Sequence, residues 1–121
     1  VHDGMLILPC SSNTLGALAA GITTTLLQRA AAVALKERRR LIIAHRETPL
    51  TTIDLGNMEK LAIAGATIMP LSPGFYTMPA TIADLVDFMV ARVLDLMEVP
   101  HDLQVRWDPH ATTKPGATLR A

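Results

Sequence analysis

Three short segments carry side chains whose types and spacing suit ligand chemistry. In Arg46-Glu47-Thr48-Pro49 a fixed cation and a carboxylate follow the apolar run Leu41-Ile42-Ile43-Ala44. An Arg can grip a phosphate through two parallel hydrogen bonds, and a neighbouring Glu can move a proton if its pKa is tuned. In Pro9-Cys10-Ser11-Ser12-Asn13-Thr14 three hydroxyls and an amide gather where an apolar run gives way to an Ala- and Leu-rich stretch. Free N–H groups and the dipole at a helix start suit a phosphate or a polar ring edge. In Pro73-Gly74-Phe75-Tyr76 a phenol and a second ring lie in a loop bounded by Pro70 and Pro79. A Tyr hydroxyl can donate to phosphate while the rings shield an apolar group. Each segment also has a structural explanation: an ion pair in a loop, helix capping and turn chemistry, and an aromatic covering a core.

Other chemistry is weakly represented. Arg29, Lys36 and Arg92 are individually ordinary surface cations, and Arg38-Arg39-Arg40 is expected to be a solvated helix end favoured by the helix dipole. His2, His45, His101 and His110 lack the spacing of metal ligands, so no metal is expected. Neither a Gly-rich phosphate loop nor a Ser-centred nucleophile elbow is present. Cys10 is the one cysteine, which excludes an intrachain disulfide and suits a reducing, cytoplasmic setting. It is expected to be a small buried residue and not a nucleophile.

The elements that must position these segments alternate along the chain. Met5–Cys10, Leu41–Arg46 and Thr67–Leu71 are nearly continuous apolar runs, as in strands covered on both faces. Thr14–Lys36 is helical, capped by Asn13 or Ser12 and broken in two at Gly21. Ile53–Ala64 is a second helix closed by Gly65. A third starts at the Thr81 cap, has an acid in its first turn, and places Ile82, Leu85, Val86, Met89, Val93 and Met97 at helical spacing before Pro100. Arg92 falls at the border of that stripe. The order predicts a parallel α/β sheet with helical crossovers, and about three strands. So thin a sheet calls for further strands or for a partner chain along an edge.

Composition sets the outer bounds. One domain is natural for 121 residues, and 50% hydrophobic content is enough for a core. The 11 basic residues balance the 11 acidic ones, which argues against a nucleic-acid binder. No apolar run approaches the roughly 20 residues of a membrane helix.

Taken jointly, the segments resemble the UbiX-type flavin prenyltransferases, a family earlier described as aromatic-acid decarboxylases. Leu8-Pro9-Cys10-Ser11 with Thr14-Leu15, Arg29-Ala30-Ala31 with Ala34–Arg39, Arg46–Leu50, Pro73–Tyr76, Val90–Leu94 and Arg106-Trp107 carry the likeness. It runs from about Asp3 to Trp107, in the family's order and spacing. The resemblance implies a flavodoxin-like three-layer α/β/α fold. It also implies transfer of a dimethylallyl group from dimethylallyl phosphate to reduced FMN. The product, prenylated FMN, serves a UbiD-type decarboxylase. It implies no metal, and a large homo-oligomer, up to a dodecamer, with sites shared between subunits. On this likeness Ser11, Ser12, Asn13 and Thr14 hold the flavin, Arg46 touches flavin and substrate phosphate, and Lys36, Tyr76 and Arg92 bind the phosphate of the prenyl donor. Glu47 handles a proton, with Lys36 also at the chemistry, and Arg29 and Trp107 complete the site.

The family opens on a strand and a Gly-Ala-Ser-Gly loop that helps hold the flavin, with a Ser and a Glu upstream. That segment is absent from these 121 residues. The chain is therefore expected to be the C-terminal part of such a domain over residues 1–107, with a flexible tail over 108–121. Two other functions fit some of the same residues. A cysteine-type flavoprotein decarboxylase shares the Pro-x-Ser-x-Asn-Thr turn but not the Arg-Glu-Thr-Pro-Leu and Gly-Phe-Tyr segments. A non-catalytic flavin-binding or assembly subunit of a decarboxylase is the other.

Overall fold

The computed structural model describes residues 4–103. The chain divides into two compact units, Val1–Leu71 and Ser72–Ala121. The first carries β1 (Gly4–Cys10), α1 (Ser12–Ala19), α2 (Leu26–Lys36), β2 (Arg40–His45), α3 (Thr52–Ile63) and β3 (Thr67–Pro70). The second carries a 3-10 turn (Phe75–Thr77) and α4 (Ile82–Leu96).

The three strands form one parallel sheet in the order β1-β2-β3. Gly4 pairs with Arg40 at one end and Cys10 with His45 at the other, with a register shift between Ile7 and Cys10. Pro9 lies within that irregularity. It has no N–H to offer the ladder, so regular pairing fails there. Side chains alternate along a strand, so Leu41, Ile43 and His45 share one face of β2. Leu41 and Ile43 pack there with Leu15 and Leu18 of α1, Ala31 of α2 and Leu61 of α3. Ile42 and Ala44, on the opposite face, are fully buried as well. β2 is thus the central strand by burial as well as by order. Each of its large aliphatic side chains contributes roughly 1.5–3 kcal/mol by leaving water.

Helix boundaries follow local capping. Ser11, in an extended conformation, caps α1 by accepting from the Thr14 N–H. The cap is therefore one residue before Ser12 and two before Asn13. The third residue of the helix must lie in reach of the capping oxygen, and from Ser11 that residue is Thr14. Gly21, at φ +73°, ends the first helical piece as expected, and Gly65, at φ +114°, follows the end of α3. Both conformations are left-handed and favour glycine. Thr25 with Gln28, Thr51 with Asp54, and Thr81 with Asp84 form reciprocal capping boxes at the starts of α2, α3 and α4.

In the second unit the buried face of α4 comprises Phe88, Ala91 and Val93. Ile82 and Val86, which head the apolar stripe in the sequence, are 79% and 54% exposed. The stripe and the buried face overlap at Val93 but are rotated apart over the first two turns. The Tyr76 ring meets Phe88, on the buried side of the helix.

Candidate functional site at the carboxyl edge of the sheet

The parallel register brings two of the three chemistry-bearing segments together. Cys10 is the β1 partner of His45, so the residues that follow them, Ser11 and Arg46, leave adjacent strands at the same edge. The Leu71 N–H donates to the His45 carbonyl at 2.9 Å, which brings the end of β3 to that edge too. Ligands of parallel α/β sheets bind outside such carboxyl ends.

At the start of α1 the polar atoms are closely assigned. Ser11 Oγ accepts from the Thr14 N–H at 3.1 Å and donates to Thr14 Oγ1 at 3.1 Å. With the Ser11 hydroxyl engaged by Thr14, the Thr14 hydroxyl proton and the first backbone N–H groups of the helix remain available to a ligand. Ser12 Oγ lies 3.1 Å from His45 Nε2. His45 is only 3% exposed, on the strand face that also carries Leu41 and Ile43. Beside it, Asp54 accepts from the Thr51 N–H at 3.1 Å and from the Thr51 hydroxyl at 3.0 Å. Those bonds, above all the Thr51 N–H, hold the Asp54 carboxyl below the ordinary carboxylate range, with help from the Ser12 hydroxyl and the nearby His45. Cys10 is buried, and burial pushes its thiol pKa up. It is a packing residue, as its sequence context suggested.

Arg46 and Glu47 are exposed. Among the described residues they form no ion pair with each other or with any other group. The structural explanation of this segment as a loop ion pair therefore fails, and both charges face outward at the edge.

The remaining cations lie elsewhere in the first unit. Lys36 ends α2, just before β2 begins, and lines a cleft of about 500 Å³ with Arg38, Arg39 and Gly65. Arg29 lines a second cleft of about 480 Å³ with Gly4 and Met5, the first residues of β1. Neither is brought to the edge that carries Ser11 and Arg46.

In the second unit, Tyr76 meets Phe88 edge-on, with ring centroids 5.9 Å apart and planes at 87°. A Cβ on Gly74 would fall 2.5 Å from Tyr76 Cε1 and 2.9 Å from Phe88 Cζ, so the glycine is required for the rings to close over the backbone. Tyr76 stays 58% exposed. Arg92, one helical turn beyond Phe88, is exposed and lies 3.8 Å from Asp95, which also contacts His101 at 2.7 Å. Trp107 lies outside the described residues. Among the described residues no group of His, Cys, Asp and Glu side chains could hold a metal, and no helix is long and apolar enough to cross a membrane.

The sequence profile of the Flavoprotein family matches residues 1–94. The chain belongs to the Flavoprotein family. Over 107 residues it is 56% identical to the flavin prenyltransferase UbiX of Thermoplasma acidophilum, an alignment that covers 88% of this flavoprotein chain and 59% of that protein. The crystal structure of AnUbiX (PadA1) in complex with FMN and dimethylallyl pyrophosphate superposes with a TM-score of 0.86 at 44% identity, covering 92% of this chain and 59% of that one. The dodecameric FMN-dependent UbiX-like decarboxylase of Escherichia coli O157:H7 superposes equally well, with a TM-score of 0.86 at 44% identity, covering 89% and 58%. The flavoprotein chain thus spans somewhat more than half the length of these relatives, and its fold is flavodoxin-like α/β.

His45 and Asp54 are the site-edge residues that sequence motifs passed over. His45 lies at the end of an apolar run with no metal-ligand spacing to mark it. Asp54 had one local signal, its place three residues after Thr51 at a helix start.

Proposed function

We propose that the protein carrying this chain transfers a dimethylallyl group from dimethylallyl phosphate to reduced FMN, making prenylated FMN for a UbiD-type decarboxylase. The observation that carries the reading is the carboxyl edge itself. A capped helix start with a spare Thr14 hydroxyl stands beside Arg46 and Glu47, neither paired within the described residues. This donor set fits one side of FMN: N–H groups and hydroxyls for polar ring edges or phosphate, and a guanidinium for an anion. The relatives are named flavin prenyltransferases, and AnUbiX was crystallised with FMN and an allylic pyrophosphate, which supports the same assignment.

In this reading Ser11, Ser12, Asn13 and Thr14 form the flavin turn, and Arg46 lies between flavin and donor phosphate. When bound, reduced flavin supplies the nucleophilic N5 and the neighbouring carbon that closes the new ring. The chain's own residues act on the other partner. The allylic C–O bond breaks with its electrons going to phosphate, so donors aimed at the phosphate oxygens stabilise the charge that develops there. Arg46, Lys36, Tyr76 and Arg92 are those donors. Glu47 takes or returns the proton, and Arg29 and Trp107 complete the enclosure. Fixing the allyl group against its acceptor and excluding water supplies much of the remaining rate.

The position of Lys36, away from the Arg46 edge, favours a homo-oligomer in which another copy delivers it. Large exposed apolar side chains support this: Leu26 is 84% exposed, and Ile63 and Ile82 are each 79% exposed. The E. coli relative is a dodecamer, and we infer an assembly of that kind here, in the cytoplasm.

The test is incubation of the full-length protein with reduced FMN and dimethylallyl phosphate, followed by mass spectrometry of the flavin. A gain of one prenyl unit is expected. Flavin binding without the adduct would overturn the reading in favour of a binding or assembly subunit. Carbon dioxide release from a cysteine-bearing substrate would move it to the cysteine-type decarboxylases.

A further inference from the structure

Asp95 stands in the last turn of α4, among the free carbonyls at the end where the helix dipole disfavours a carboxylate. Just beyond it the chain reverses. Glu98 lies at φ +56°, in the left-handed region. Its N–H donates to the Asp95 carbonyl at 3.1 Å, and the Val99 N–H donates to the Leu94 carbonyl at 2.9 Å. Such a pair of bonds ends a helix and turns the chain back along it. His101 is thereby returned to the helix, with Nε2 2.7 Å from Asp95 Oδ1 and a side chain only 7% exposed. A second bond fixes the direction of the first. The Leu103 N–H donates to His101 Nδ1 at 3.1 Å. A backbone N–H can only donate, so Nδ1 accepts and carries no proton. The ring proton is then on Nε2 and is donated to Asp95. The other carboxylate oxygen, Oδ2, lies 3.8 Å from Arg92 Nη1, near enough for attraction and too far for a hydrogen bond. Arg92 makes no hydrogen bond among the described residues, so its fork of N–H donors stays open to a ligand.

We infer that His101 is a positioning residue for Arg92: by anchoring Asp95 it keeps the carboxylate beside the guanidinium as an unbonded counterion, and so prevents a close ion pair from occupying the donors that the phosphate of an allylic substrate needs. Asp95 follows Arg92 by three residues on one helix, a spacing at which side chains are neighbours. An Arg and a free carboxylate at that range close readily into a fork of two hydrogen bonds. An incoming phosphate would have to break that fork first. With Asp95 held by His101, the phosphate meets open donors, and the nearby negative charge still restrains a long and otherwise mobile side chain. Arg92, Asp95, His101 and Leu103 all belong to the second unit. The inference rests on the assignment of Arg92 to the donor phosphate for its function, but not for its hydrogen bonding.

Two measurements on the full-length protein test it. Nitrogen-15 NMR of ring-labelled histidine should find His101 with a proton on Nε2 and none on Nδ1. A proton on Nδ1 overturns the inference whether or not the protein is active. Steady-state prenyl transfer should find the KM for dimethylallyl phosphate raised about three- to fivefold in His101→Leu, the scale of an exposed ion pair that the phosphate must displace. FMN affinity should not change. Adding Asp95→Asn to His101→Leu removes the competing charge and should bring KM back to within about twofold of the unsubstituted protein. His101→Gln, a milder change whose amide can still donate to Asp95, should leave KM near the unsubstituted value. Equal losses in the Leu and Gln variants, or a KM that stays high when Asp95→Asn is added, would show that His101 only supports the fold. If the unsubstituted protein makes no prenylated flavin, the proposed function falls and takes the role of His101 with it. A failed rescue in an active protein removes this inference alone.

Discussion

Both ends of the sheet carry polar side chains, arranged in different ways. At the carboxyl edge Ser11, Ser12, His45 and Asp54 are tied to defined partners, and those bonds leave a small set of donors pointing outward beside Arg46. At the amino edge Lys36, Arg38 and Arg39 surround an open cleft, and their side chains form no hydrogen bond or ion pair among the described residues. The first arrangement fixes geometry before a ligand arrives. The second supplies positive potential and little orientation, as expected of flexible cations in water. Charge density alone therefore does not mark the site; bonded support behind the charge does.

The largest expected effect separates the two edges directly. Arg46→Ala should lower kcat/KM for prenyl transfer by roughly 100-fold or more, the scale seen when a donor to developing charge is removed. Arg39→Ala should stay within about twofold, because an exposed cation contributes little. Equal losses would erase the distinction between the edges. A second experiment asks whether assembly joins what the single chain separates. Lys36→Ala and Arg46→Ala, each inactive alone, should regain activity when their subunits are exchanged, toward about a quarter of sites by random pairing across a heterologous interface. No recovery would mean that Lys36 does not serve the Arg46 site of another copy.

Smaller effects test the support at the carboxyl edge. Ser11→Ala should cost about 1 kcal/mol of stability, measured by denaturant unfolding, and should also weaken FMN binding. Thr25→Ala, which removes the cap of α2, should cost a similar amount and leave FMN affinity unchanged. If both variants bind alike, the α1 cap is merely structural. The smallest effect is on acid stability. The Asp54 carboxyl is held below its ordinary range in the folded chain, so its stabilisation is complete above the unfolded carboxylate pKa and is lost as pH falls through the folded one. The stability gap between the unsubstituted protein and Asp54→Asn should be full near pH 6 and shrink below about pH 4. A gap that does not change with pH would show that the carboxylate's charge does not stabilise the start of α3.

Much of this was legible in the chain before it was folded. The three apolar runs became β1, β2 and β3 within a residue of their expected ends, because a strand covered on both faces has almost no polar residue to hide. Gly21 and Gly65 marked helix ends through their backbone freedom alone. The family resemblance rested on contiguous motifs that the profile match and the relatives support. The α4 stripe was less informative. Its period was right, but Ile82 and Val86 face outward, because periodicity identifies an apolar face without saying what covers it.

The sequence by itself determined the element order, the parallel α/β class, the family and the segments Ser11–Thr14, Arg46–Glu47 and Gly74–Tyr76. Each is written in local pattern or in adjacent residues. Only the tertiary structure decided that Ser11 and Arg46 share an edge while Lys36 lies apart, that Arg46 and Glu47 are not paired with each other, and that His45 contacts Ser12. Strand register and helix crossover set those relations, and they join residues tens of positions apart that share no motif.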